Sequence, residues 1–283
     1  MWRHRLAALL WCALPPGSQG LGRVAVLLRG ETFRVNSQQH GRARGALGVP
    51  DQKLASESQV AHVFEPLARE MGYEAVDAYL ETYATREQHL LLLWYGSFLT
   101  PARATFYEGE RMPGVEQGMA PALLAGGGYA AVLVVRPDLV IKPLFPCALQ
   151  LADRERLLFT YALDSSPRRF YVDESRGVEF VGDVILWLPA WSFKDVSRLG
   201  MLQWLWCNHE ALVLPLQHFG RERLGYVYPW GIYDSDSAKS WNPLYEMTNR
   251  TRAPGLFDPT YEATLNYTCA DLRAGKPRAP TFI

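Results

Sequence analysis

Between residues 23 and 135 short apolar runs of strand length alternate with segments of helical period, and this alternation limits the chain to an α/β fold. Arg23 to Leu28 is a short apolar run that halts at Arg29-Gly30-Glu31, as a buried strand does at its carboxyl end. Ser56 to Gln59 reads as a capping box, and Val60, Val63, Phe64, Leu67 and Met71 then keep a helical period up to Gly72. Ala75 to Leu80 predicts a second strand ending in Glu81, and Thr85 to Gln88 a second capping box that opens a helix through Leu90 to Tyr95. Ala104 to Tyr107 predicts a third strand, Pro113 to Leu124 a third helix, and Ala130 to Val135 a fourth strand. Such an order implies right-handed crossovers and a mostly parallel, twisted sheet with helices on both faces, Rossmann-like in its layering. Two more strands are expected at Leu157 to Tyr161 and Val184 to Leu188, and Ser192 to Phe219 reads as helix-rich.

Three regions fall outside this rhythm. Residues 1–20 carry Arg3 and Arg5, an apolar stretch from Leu6 to Leu14 and a small-residue segment from Pro15 to Gly20, the layout of a secretory signal peptide. The apolar stretch falls well short of the roughly 20 residues that cross a bilayer. Glu31 to Ala55 shows no apolar period and holds Arg34, His40, Arg42 and Arg44, so it reads as a long loop, either a functional lid able to close over a ligand or a disordered segment. Residues 231–283 read as an irregular, aromatic C-terminal extension to an α/β domain over residues 21–230.

Charge narrows the partners. Removing the leader with Arg3 and Arg5 leaves 27 Lys/Arg against 29 Asp/Glu, which disfavours nucleic acid and anionic membranes. Cys12 leaves with it, so Cys147, Cys207 and Cys269 allow at most one internal disulfide and one remaining thiol. Sequons at Asn249 and Asn266 suit a luminal or secreted protein, in the endoplasmic reticulum, the Golgi or outside the cell.

Spacings for a P-loop, a dinucleotide fingerprint, a serine nucleophile elbow, a zinc protease or a cysteine zinc site are missing. What remains is a set of charges at strand ends: Arg29 and Glu31, Glu81, Glu108 and Glu110, and Arg136, Asp138 and Lys142. The run Tyr129 to Phe145 carries most information, because a hydrophobic strand enters Arg136-Pro137-Asp138 and Pro137 fixes the backbone between a cation and a carboxylate. An arginine there can grip a diphosphate and a carboxylate can hold a divalent metal or a ribose, whereas an Arg136–Asp138 ion pair would instead close off the sheet. Asp183, before the apolar run at Val184, is the candidate general base. Asp234 and Asp236 form an Asp-Ser-Asp able to share Mg²⁺ or Mn²⁺ with donor phosphates, beside Trp230, Tyr233 and Trp241, though the same composition makes an ordinary turn. His209 and Glu210 have no second ligand pair at helical spacing.

The segments R-V-A-V-L-L-R-G-E-T-F-R, D-A-Y-L-E-T-Y-A-T, R-P-D-L and V-G-D-V-I-L-W-L-P resemble a group of uncharacterised glycosyltransferase-like proteins of GT-A type over residues 23 to about 190. In that group R-x-D-L stands where related enzymes carry Asp-x-Asp. The resemblance implies a nucleotide-sugar co-substrate near Arg136 and Asp138, with Arg29 and Arg34 as phosphate or nucleotide contacts, Lys142 nearby, and a glycan or protein acceptor. Asp138, Asp234 and Asp236 are the candidate metal ligands for Mn²⁺ or Mg²⁺. The alternative is a non-catalytic luminal carbohydrate-binding or adaptor protein on the same fold, with the aromatic tail as its surface.

Overall fold

The computed structural model describes residues 21–33, 48–108, 112–126, 128–160, 163–164, 184–201, 213–228, 232–233, 243–247 and 268–274. The expected leader, Arg34 and most of its loop, Glu110, Asp183, His209, Glu210, Trp230, Asp234, Asp236 and Trp241, both sequons and Cys207 lie outside them.

In chain order the described elements are β1 (Arg23–Arg29), α1 (Val49–Gln59), α2 (Glu65–Arg69), β2 (Ala75–Tyr83), α3 (Gln88–Tyr95), β3 (Ala104–Tyr107), α4 (Ala120–Gly126), β4 (Tyr129–Val135), β5 (Leu139–Ile141), α5 (Leu144–Leu151), β6 (Leu157–Phe159), β7 (Leu163–Asp164), β8 (Ile185–Pro189), α6 (Phe193–Arg198), α7 (Val213–Phe219), β9 (Leu224–Tyr226), β10 (Ile232–Tyr233), β11 (Tyr245–Met247) and α8 (Cys269–Arg273). Seven strands form the main sheet in the order β3-β2-β1-β4-β8-β6-β9. All its pairings are parallel except the two made by β8, which runs against β4 and β6. The fold is thus α/β on a mostly parallel sheet.

Strand alternation divides the core. Val24, Val26 and Leu28 of β1 pack under Val63, Phe64, Leu67, Leu91 and Phe145, while Ala25 and Leu27 face the opposite layer with Leu123, Leu124, Phe193 and Val196. Helices therefore cover both faces, which explains why the central strands read as continuous apolar runs.

Two local expectations are corrected. Ser56-x-x-Gln59 does not open a helix; α1 begins seven residues earlier, at Val49, with a proline in its first turn, and Ser56 and Gln59 are buried near its end. A π-helical turn over Val60–Phe64 then leads into α2. Nor is Pro113 to Leu124 one helix: a 3₁₀ turn at Val115–Gln117 precedes α4, and Gly118 is extended between them. The box at Thr85 is half formed, with the Thr85 N–H donating to Gln88 Oε1 at 3.4 Å while Thr85 Oγ1 is buried without a partner among the described residues.

The described parts of the C-terminal extension are ordered against the domain. β11 pairs antiparallel with β5, β10 pairs with β7, and a disulfide from Cys147 on α5 to Cys269 fastens α8. Thr268 and Asp271 cap α8 reciprocally. Among the described residues no helix is long and apolar enough to cross a membrane.

Candidate functional site

The chain leaves β1 toward β2 and β3 on one side and returns to β4 on the other, so the carboxyl ends of β1 and β4 flank the topological switch point. In parallel sheets this divergence opens a crevice where ligands bind. Its two lips are Arg29-Gly30-Glu31 and Arg136-Pro137-Asp138. They nearly touch: Gly30 has φ 144°, and a Cβ there would lie 3.1 Å from Pro137 Cδ. Only glycine accepts that backbone and that approach without strain.

Sequence reasoning missed what holds the lips in place. Gln52 and Gln59 point the polar side of α1 inward, both buried. Gln52 accepts from the Phe33 N–H (3.1 Å) and donates to the Pro137 carbonyl (2.9 Å), thereby joining the exits of β1 and β4. Gln59 Nε2 donates to the carbonyls of Arg136, Pro137 and Leu139 at 3.1, 3.3 and 2.8 Å, and Gln59 Oε1 accepts from the Tyr95 hydroxyl at 2.7 Å. Burial raises the Tyr95 hydroxyl pKa far above its ordinary value, so it stays a donor. Phe33 holds φ 53°, an uncommon conformation for a residue with a Cβ, and is buried with its ring 6.0 Å from that of Trp94. The available signal was Gly48-Val49-Pro50-Asp51, a proline and an acid at a helix start.

The two lip arginines differ in exposure. Arg29 is buried; its guanidinium pairs with Glu81 and donates to the Pro113 carbonyl. Glu81 also accepts from the Tyr107 hydroxyl (3.0 Å) and the Met119 N–H, and a side chain at Gly118 would collide with its carboxylate. Burial, and then the charge of Glu81, raise the Tyr107 pKa. Arg29 is accordingly a buried brace between β1, β2 and the Pro113 segment. Arg136 has 20% of its side chain exposed, against 1% for Asp138. The guanidinium grips both carboxylate oxygens, Nε to Oδ1 at 3.0 Å and Nη2 to Oδ2 at 2.6 Å. The ion pair foreseen as an alternative is therefore formed, with its cationic side outward.

The remaining expected residues separate. Lys142 follows β5, partly buried, and its N–H donates to the Leu244 carbonyl at 2.9 Å. Glu31 is partly exposed at the β1 exit, and Glu108 is exposed beyond β3. Asp138 does not present a ligand set for a divalent ion, because both of its oxygens face a guanidinium; among the described residues no three His, Cys, Asp or Glu side chains converge.

A second polar cluster occupies the opposite end of the sheet. Asp77 accepts from Tyr129 (2.8 Å), Arg103 (2.7 Å) and Arg23, and the Tyr79 and Tyr129 hydroxyls are 2.7 Å apart. Burial alone would raise the Asp77 carboxyl, but the hydrogen bonds from Tyr129, Arg23 and Arg103 outweigh it and hold the pKa below the ordinary value. This end is remote from the strand exits and serves as a structural clamp.

The fold and site together define an α/β protein whose braced strand exits at the switch point carry the partly exposed Arg136. No protein-family model matches the chain, and a comparison with curated proteins finds no match. Among solved structures it is similar to the glycosyltransferase GlyE of Streptococcus pneumoniae TIGR4, at 11% identity and TM-score 0.37 over 72% of this chain and 44% of that one. It is also similar to the galactosyltransferase LgtC bound to donor and acceptor sugar analogues, at 11% identity and TM-score 0.33 over 72% of each chain. A third likeness is to 4-diphosphocytidyl-2C-methyl-D-erythritol synthase of Anaerococcus prevotii, at 13% identity and TM-score 0.39 over 73% of this chain and 88% of that one. The chain thus spans less than half the length of the pneumococcal enzyme. Likenesses this distant carry no weight for function, which rests on the crevice itself.

Proposed function

We propose that the protein is a glycosyltransferase that takes a nucleotide-sugar donor at the crevice between β1 and β4 and passes the sugar to a glycan or protein acceptor. The observation that carries this reading is the placement of Arg136, partly exposed and held in one orientation, at the carboxyl end of a strand flanking the switch point. A guanidinium fixed there meets a diphosphate with two parallel donors and little loss of side-chain entropy. Catalysis in such a site would come from positioning and charge stabilisation of the departing nucleotide. Asp183, just ahead of β8, remains the proposed base toward the acceptor, and Asp234 and Asp236 remain proposed metal ligands. Arg34 and Lys142 are proposed to assist in nucleotide binding. A secretory-pathway lumen is the proposed location, supported by the Cys147–Cys269 disulfide together with the leader-like start of the chain.

The test is a thermal-shift screen against UDP-, GDP- and CMP-sugars. One nucleotide class is expected to stabilise the protein, by about 2.7 kcal/mol at 100 times its dissociation constant. No stabilisation by any of them overturns the proposal. The ion-paired state of Arg29 and Arg136 favours a second reading, a non-catalytic carbohydrate-binding protein. That protein would bind glycans with no response to nucleotides.

A further inference from the structure

We infer that Asp138 acts as the seat that orients Arg136, and that the diphosphate end of the crevice therefore works without a divalent cation bound by Asp138. This inference rests on the nucleotide-sugar reading of the same site. Three observations carry it. First, both carboxylate oxygens are engaged by one guanidinium, through Nε and Nη2, in a two-point grip. A cation such as Mn²⁺ or Mg²⁺ needs those lone pairs, and it would have to displace a fixed positive charge from the same carboxylate. Second, Asp138 is 1% exposed while Arg136 is 20% exposed, so the guanidinium is what the pair turns toward solvent. Third, the carboxylate has little freedom to swing outward. Gln52 and Gln59 fasten the carbonyls on either side of the turn, at Arg136, Pro137 and Leu139, and Pro137 restricts the backbone between the two charges.

Where a metal-binding carboxylate would supply positive charge through its ion, this crevice supplies it directly through Arg136. Asp138 is then a positioning residue, acting through the guanidinium and touching no phosphate. The two roles predict opposite behaviour without metal. Removing the charge of a metal ligand leaves metal-free anion binding unchanged or improves it, because a nearby negative charge is lost. Removing a seat weakens metal-free binding, because Arg136 loses the two-point grip that aligns its guanidinium.

The experiment is calorimetric titration of the full chain with inorganic pyrophosphate, in excess EDTA and again in Mn²⁺. Binding in EDTA within about threefold of that in Mn²⁺ is expected, with Asp138→Asn weakening the EDTA value by about fivefold or more and having no further effect in an Arg136→Ala background. Arg136→Lys keeps the charge but loses the two-point grip, and it is expected to weaken binding in EDTA by about threefold or more even should Asp138→Asn not fold. Binding that needs Mn²⁺ and is lost in Asp138→Asn, or a folded Asp138→Asn that binds as well as wild type in EDTA, overturns the inference and leaves the nucleotide-sugar reading standing. No pyrophosphate binding in either condition overturns both.

Discussion

Replacing Gln59 by leucine keeps the side-chain volume close to native but removes the group that fastens the exit of β4. Gln59 Nε2 is shared among three carbonyls, its Oε1 receives the Tyr95 hydroxyl, and both Gln59 and Tyr95 are buried. Two donor protons and one acceptor disappear together. At about 1 kcal/mol for each lost bond, with further cost for each carbonyl and hydroxyl left unpaired in the interior, Gln59→Leu is expected to destabilise the protein by about 3–5 kcal/mol. Tyr95→Phe removes the bond to Gln59 Oε1 and the hydroxyl's interaction with Ser56, so about 1–2 kcal/mol is expected. Because each variant strands the other's partner, the double variant should cost less than the two singles added. Urea denaturation with a constant m-value reads these differences, and thermal melting should fall by about 2–4 °C per kcal/mol for a chain of this size. A Gln59→Leu effect under about 1 kcal/mol, or strict additivity with Tyr95→Phe, would refute the view that these buried polar groups hold the crevice.

Other consequences follow from the same structure. Glu81→Gln leaves the Arg29 charge buried and uncompensated, and it should cost about 3–5 kcal/mol in equilibrium unfolding; a surface-like loss of a few tenths would contradict the brace role. The Asp77 carboxyl sits below its unfolded value when folded, so its contribution is fully present above the unfolded pKa and is lost as pH falls through the folded one. Asp77→Asn should therefore flatten the acid limb of the stability–pH curve below about pH 4, measured by denaturation at several pH values. Reducing Cys147–Cys269, whose sequence separation is 122, should lower stability by about 4–5 kcal/mol if loop closure dominates, and reductant-dependent melting measures it.

How far the sequence could be read depended on which groups were buried. β1, β4 and β8 were legible because strands covered on both faces read as nearly continuous apolar runs, as Val24 to Leu28 and Val184 to Leu188 do. The positions of Arg136 and Asp138 at a strand end followed directly. Their relation did not: residues two apart lie on the same side of an extended chain, but pattern alone cannot say whether they grip each other or a ligand. The first part of α1 reads as loop because Gln52 looks like a solvent-facing residue, and Ser56 and Gln59 read as the cap of a later helix; Gln52 and Gln59 are instead buried against backbone carbonyls that leave the sheet, and Ser56 against Gln52. Arg29 looked like a ligand contact, yet its carboxylate partner is Glu81, 52 residues away in sequence, and only the parallel pairing of β1 with β2 brings the two together.

The central claim is that Arg136 fronts a nucleoside-diphosphate site at the switch point. Isothermal titration of wild type and Arg136→Ala with the nucleoside diphosphate chosen by the thermal-shift screen tests it most directly. Saturable binding by the wild type, weakened about tenfold or more in a variant whose melting curve stays cooperative, is the predicted result. Wild type and variant titrating alike would contradict it.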